Sequence, residues 1–187
     1  MIDYNRINNS INFYESKGFK RIESPWTVTK AVSAITKPEG KGDWEIVGKD
    51  KVLVASGEQS FLYLYLKGFL PKGKYQTITP CFREEVFDKT HTKYFIKNEL
   101  IITDDVSKNN LNIVVRNCKE FFEKELNHKV DIIETKEGFD LECMGIEIGS
   151  YGIRSCEYLD WIYATGLAEP RMTFVKNIIV KNNGISQ

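Results

Sequence analysis

The chain has 187 residues, 42% hydrophobic and 28% charged, and its 26 Lys+Arg balance 26 Asp+Glu. That length suits one domain with a substantial core, and the composition excludes a disordered chain. The charge balance excludes a global field drawing the protein to nucleic acid or acidic membrane, while leaving local RNA contact open. No apolar run is long enough to span a bilayer, and the N-terminal MIDYNRINNS lacks the basic-then-apolar character of a secretory signal, so a cytoplasmic protein is expected. Cys81, Cys118, Cys143 and Cys156 form no C-x-x-C pair, with only His91 and His128 as partners, which points to reduced, packed thiols rather than structural zinc.

Residues 3–17 read as a helix, with Ile7, Ile11 and Tyr14 at helical spacing and Gly18 as its stop. Residues 19–24 then read as a strand ended by Pro25. In residues 27–41, Ala31, Val32, Ala34 and Ile35 suit a short helix and Pro38-Glu39-Gly40-Lys41-Gly42 a loop. Residues 44–47 and 51–55, joined by Gly48-Lys49-Asp50, read as a hairpin. Ser56 is placed to cap a helix running to about Lys67, with Glu58 near the positive end of its dipole and Phe61, Leu62, Tyr65 and Leu66 on its apolar side.

Residues 75–82 and 94–102 read as two long strands. Alternation puts Gln76, Ile78 and Pro80 on one face of the first and Tyr75, Thr77, Thr79 and Cys81 on the other, and Glu99 is embedded in the apolar second arm. The connecting loop, about ten residues, is long for a hairpin, and such loops are often functional. Arg83 can clamp phosphate or carboxylate oxygens through its planar fork, Glu85 can orient that guanidinium or accept from an exocyclic amine, and Phe95 can offer a flat face to a base. These three describe a nucleotide site. The competing reading is an edge hairpin with a surface ion pair worth at most about 1 kcal/mol.

A scaffold helix follows from Ser107 or Asn109 to Leu126, with Leu111, Val114, Val115, Cys118, Phe121 and Phe122 as its apolar stripe. Residues 129–134 and 139–144 look like strands, and Gly145 separates them from Ile146-Glu147-Ile148-Gly149-Ser150-Tyr151-Gly152, where small residues leave room for a ligand beside one carboxylate. Trp161 and Tyr163 suit core. Pro170 suits the first turn of a last helix, with Arg171 where backbone N–H groups favour anions.

The chain resembles the class II aminoacyl-tRNA synthetases in three places. Residues 4–25, with Tyr14-Glu15-Ser16-Lys17-Gly18-Phe19 through Pro25, resemble motif 1. Residues 75–102, with Phe82-Arg83-Glu84-Glu85, a polar loop, Thr90-His91, Tyr94-Phe95 and Glu99, resemble motif 2. Residues 164–180 resemble motif 3, although of its three glycines only Gly166 is kept, Ala164 and Ala168 stand at the other two positions, and Pro170 precedes Arg171. The resemblance implies an α+β fold, an antiparallel sheet of about six strands flanked by helices, as one domain over residues 1–187 without an anticodon-binding domain, and a homodimer through the N-terminal helix and strand.

It also implies ATP and Mg2+ as cofactors. In that family the motif 2 arginine, here Arg83, binds the α-phosphate. The loop residues, here Glu85 and His91, meet adenine or the tRNA end, and the aromatic Phe95 stacks on adenine. Arg171 would take the γ-phosphate, and Gly166 would admit ATP. Ser56 and Glu58 match a turn that holds the substrate amino group, and Gly149 and Ser150 would line the amino-acid pocket. Glu147 is the first choice for Mg2+, with Glu157 and Asp160 as competitors. The expected activity is formation of an acyl-adenylate from an amino acid or similar acid, passed to a tRNA end, a carrier or another protein's lysine, or ammonia. The alternative is a catalytically silent paralogue that binds amino acid, nucleotide or tRNA-like RNA as a regulator. An unrelated α+β domain with chance motifs would hold Arg83 and Arg171 far apart.

Overall fold

In the computed structural model, which describes residues 1–84, 93–182 and 184, helix α1 (Tyr4–Ser16) begins where the Asp3 side chain accepts from the Arg6 backbone N–H. It ends before Gly18, whose φ of +88° favours glycine. The strand expected over residues 19–24 contracts to β1 (Lys20–Arg21), which pairs in parallel with Tyr75 and Gln76.

β2 (Thr27–Val28) leads into α2 (Lys30–Thr36), capped by Thr29. The hairpin expected of residues 44–47 and 51–55 forms only as a short ladder: Glu45 bridges Val52, the Ile46 N–H donates to the Lys51 carbonyl and the Leu53 N–H to the Trp44 carbonyl, both at 2.9 Å, and β3 (Val52–Leu53) also pairs with β2. The reason is burial. Val28, Val52 and Val54 are fully enclosed beneath α3 (Gly57–Leu66), whereas Val47 stays 97% exposed, so the apolar gain lies with the β2 partner.

Strands β4 (Lys74–Phe82) and β5 (Tyr94–Ile102) pair along their whole length, Lys74 with Ile102 through Phe82 with Tyr94. After α4 (Lys108–Leu126), capped by Ser107, come β6 (Asp131–Glu134), β7 (Gly138–Cys143), β8 (Ile146–Cys156), β9 (Leu159–Glu169) and α5 (Arg171–Asn182). The sheet order is β1-β4-β5-β9-β8-β7-β6. β4 to β9 are the six antiparallel strands expected, and the seventh is the short parallel β1.

The sheet separates two cores. On one face Tyr14 of α1, the expected stripe of α4 and Val175 of α5 pack over Leu100, Ile162 and Leu167. On the other face Phe61 and Leu62 of α3 pack over Tyr75, Ile101 and Trp161. Thr77, Thr79 and Glu99, next along the second face, are polar yet buried, and that buried polar floor marks where the site sits.

Candidate active site

Period-two alternation puts Phe95, Lys97 and Glu99 of β5 on the face shared with α3. Gly57 allows the start of α3 to rest on them: a Cβ there would lie 2.8 Å from the Glu99 Cβ. Ser56 holds the N-cap position, but its side chain makes no capping hydrogen bond, contrary to expectation. The Gln59 side chain accepts from the Ala55 N–H at 2.8 Å instead.

Arg83 leaves the end of β4, its Nε donating to the Ala55 carbonyl at 3.1 Å and its guanidinium lying 5.1 Å from the Phe95 ring centre. One side of the ring expected to stack on adenine is therefore covered by the arginine expected on the α-phosphate. Glu85 and His91 lie outside the described residues.

Glu58 is buried. Its Oε2 accepts from Arg154 Nη1 at 2.7 Å and its Oε1 from Trp161 Nε1 at 2.6 Å. Removal from water pushes its carboxyl pKa up, and the Arg154 charge offsets only part of that. Arg154 also lies 4.1 Å from the Tyr163 ring centre. The carboxylate expected to hold a substrate amine is thus already engaged by β8 and β9. Beside it, Lys97 Nζ pairs with Glu99 Oε1 at 2.9 Å, while Glu99 Oε2 is buried with no hydrogen-bond partner.

On β8, Glu147, Gly149 and Ser150 border the same cavity, with the Ser150 N–H donating to Thr165 Oγ1 at 3.3 Å. Arg171 opens α5 and reaches back to Glu147, its Nη1 3.4 Å from both the backbone oxygen and Oε1. All of these groups line one cavity of about 360 Å³, roofed by the segment from Lys37 to Asp43, where Lys37 Nζ pairs with Asp43 at 2.5 Å. The cavity brings together Arg83, Phe95, Ser56, Glu58, Glu147, Gly149, Ser150 and Arg171.

Two expectations need correction. Gly166 faces away from the cavity: its Cβ would meet Tyr14 at 2.8 Å, and its carbonyl accepts from the Tyr14 hydroxyl at 2.8 Å. It sits where the β5–β9 register shifts, so its smallness admits helix α1 rather than a nucleotide. Glu157 and Asp160 lie at the tip of the β8–β9 hairpin and do not line the cavity. Glu58 keeps its place in the cavity wall, each of its carboxylate oxygens accepting one hydrogen bond from the chain.

Sequence reasoning missed Lys97 and Arg154 in the cavity wall, and the buried ion pair between Arg6 of α1 and Glu169 at the end of β9. Alternation from Phe95 carried the signal for Lys97. Nothing in the sequence marked Arg154 or Arg6.

The family model described as tRNA synthetases class II core domain (F) matches residues 57–185. The chain is also similar in structure to pyrrolysyl-tRNA synthetase from Desulfitobacterium hafniense, at a TM-score of 0.70 and 13% identity, covering 97% of this chain and 69% of that one. Seryl-tRNA synthetase from Pyrococcus horikoshii, solved with ATP, gives a TM-score of 0.75 at 15% identity and covers 95% and 54%. Cytoplasmic serine-tRNA ligase from Naegleria fowleri, solved with AMP, gives 0.69 at 18% and covers 96% and 57%. The chain therefore spans little more than half the length of the two serine enzymes. No curated protein sequence matches the chain significantly. No helix among the described residues is long and apolar enough to cross a membrane. With a seven-stranded α+β sheet of synthetase type and a family match over more than half of its length, the chain belongs to the class II tRNA synthetase core-domain family.

Proposed function

We propose that this domain activates an amino acid or similar carboxylic acid as an acyl-adenylate. The observation that carries the reading is the convergence of Arg83 and Arg171, 88 positions apart by number (171 − 83), on one cavity with the turn at Ser56 and the wall formed by Gly149 and Ser150. A carboxylate oxygen of the substrate attacks the α-phosphorus of ATP, the bond to the bridging oxygen breaks, and pyrophosphate leaves with the electron pair. Arg83 and Arg171 neutralise phosphate oxygens where charge develops, and Arg83 is already oriented by the Ala55 carbonyl. Positioning and charge supply the catalysis, and no protein nucleophile is needed.

Mg2+ would sit at Glu147, since one carboxylate suffices when phosphates complete the shell. Glu147 is 49% exposed in its side chain and already faces Arg171, so cation and guanidinium would share it. The acceptor of the acyl group is a tRNA end or a carrier or protein group, and the working unit is a cytoplasmic homodimer built through α1 and β1.

One observation favours a second reading, a silent paralogue that binds without activating: the engagement of Glu58 by Arg154. ATP–pyrophosphate exchange with magnesium and pools of carboxylic acids separates the two. Exchange that depends on one pool supports adenylation. An ATP-raised melting temperature with no exchange from any pool supports the silent reading.

A further inference from the structure

The inner end of the cavity holds two carboxylates, and each is already matched by a cation of the chain: Glu58 by Arg154 at 2.7 Å, and Glu99 by Lys97 at 2.9 Å. Lys97 and Glu99 are 9% and 1% exposed. Arg83 lies close by, since it acts together with Lys97 and Glu99 on the buried Cys81 thiol, which burial holds protonated with a pKa of about 12. This end of the site thus carries no unmatched negative charge among these five side chains. Glu99 Oε2 is itself closed off, buried and without a hydrogen-bond partner among the described residues. Lys97 Nζ has three hydrogens, one of them directed at Glu99 Oε1.

A ligand group that fits must accept from Lys97 Nζ. A hydroxyl does so. An ammonium only donates, and it would bring a second positive charge against Lys97 in a dehydrated pocket. The pair lies under the turn at Ser56, whose neighbour Ala55 anchors Arg83, so it flanks the place where a carboxylate must lie to attack phosphorus beside Arg83.

We infer that Lys97 occupies the position of a substrate ammonium, and that the acid activated here carries a hydroxyl next to its carboxylate: a 2-hydroxy acid rather than an amino acid. This rests on the adenylation reading. The hydroxyl takes no part in bond making. It accepts from Lys97 and aligns the carboxylate, which forms the new P–O bond as pyrophosphate departs.

The test is ATP–pyrophosphate exchange on the full chain with three pools: the common amino acids, the 2-hydroxy acids bearing the same side chains, and the corresponding acids with neither substituent. The expected result is kcat/KM at least about tenfold higher for a hydroxy acid than for either counterpart. In Lys97→Met the preference between hydroxy and amino acid should shift at least about tenfold towards the amine, because Glu99 is then free to take it. Exchange with amino acids alone, or equal exchange with the unsubstituted acids, overturns this inference and leaves adenylation standing. Exchange with no pool overturns adenylation, and the inference with it. Should Lys97→Met fail to fold, which its circular dichroism shows, the three-pool comparison on the unaltered chain still decides.

Discussion

At the scale of single residues, Arg83 and Arg171 were legible because each stands in a spaced pattern. Replacing Arg83 by Ala is expected to weaken ATP binding by about 100-fold with the fold kept, measured by calorimetry, because it stands at a strand end and its side chain lines the cavity. Wild-type affinity in that variant would remove Arg83 from the site. Glu58 predicts a pH dependence. Its folded pKa is raised above the ordinary 4.5, so the folded state binds its proton at higher pH than the unfolded state does. Its contribution to stability therefore falls as pH rises from the ordinary value through the raised one, and levels off above. Subtracting the urea stability of Glu58→Gln from that of the unaltered chain across this range should isolate a slope of that sign. A flat difference would contradict the burial cause. The partners of Glu58 were not legible, since Arg154 and Trp161 come from strands about a hundred positions away and only the sheet order makes them neighbours.

At the scale of elements, long and strongly patterned segments read correctly, while some short strands kept less than their expected extent. The stripe of α4 and the long strands β4 and β5 follow from their own periodicity. The segment before α3 instead obeys tertiary burial, which pairs Val52 with β2 as well as with Glu45 and leaves Val47 in water. Gly166 shows the same limit: the sequence shows that a small residue stands there, but not which face of β9 needs it. Gly166→Ala is expected to cost about 1–3 kcal/mol in urea unfolding, because the added carbon would meet Tyr14 at 2.8 Å and the Asn98 carbonyl oxygen at 3.1 Å. No loss would mean that α1 can move outward freely.

At the scale of the whole molecule, the homodimer expected through α1 and β1 predicts a solution mass of two chains of 21.6 kDa each, read by sedimentation; the mass of one chain would remove it. Helices α1, α4 and α5 and the end of β9 are joined at Arg6. This 3% exposed guanidinium meets Asp3, Glu125 and the fully buried Glu169, whose Oε2 accepts from the Thr173 N–H near the start of α5. Arg6→Ala is expected to cost about 3–5 kcal/mol of stability in urea unfolding, since it leaves Glu169 enclosed without its cation. Burial already pushes the Glu169 carboxyl pKa up, with Arg6 countering it.

That contact also sets an order in time. Arg6 and Glu169 are 163 positions apart in the chain, and synthesis at about 5–20 residues per second separates them by roughly 8–30 seconds. Through that interval α1 is on the nascent chain without its deepest partner. The second arginine of the cavity, two residues beyond Glu169, arrives only then, so no half-built domain on the ribosome carries both arginines of the proposed ATP site.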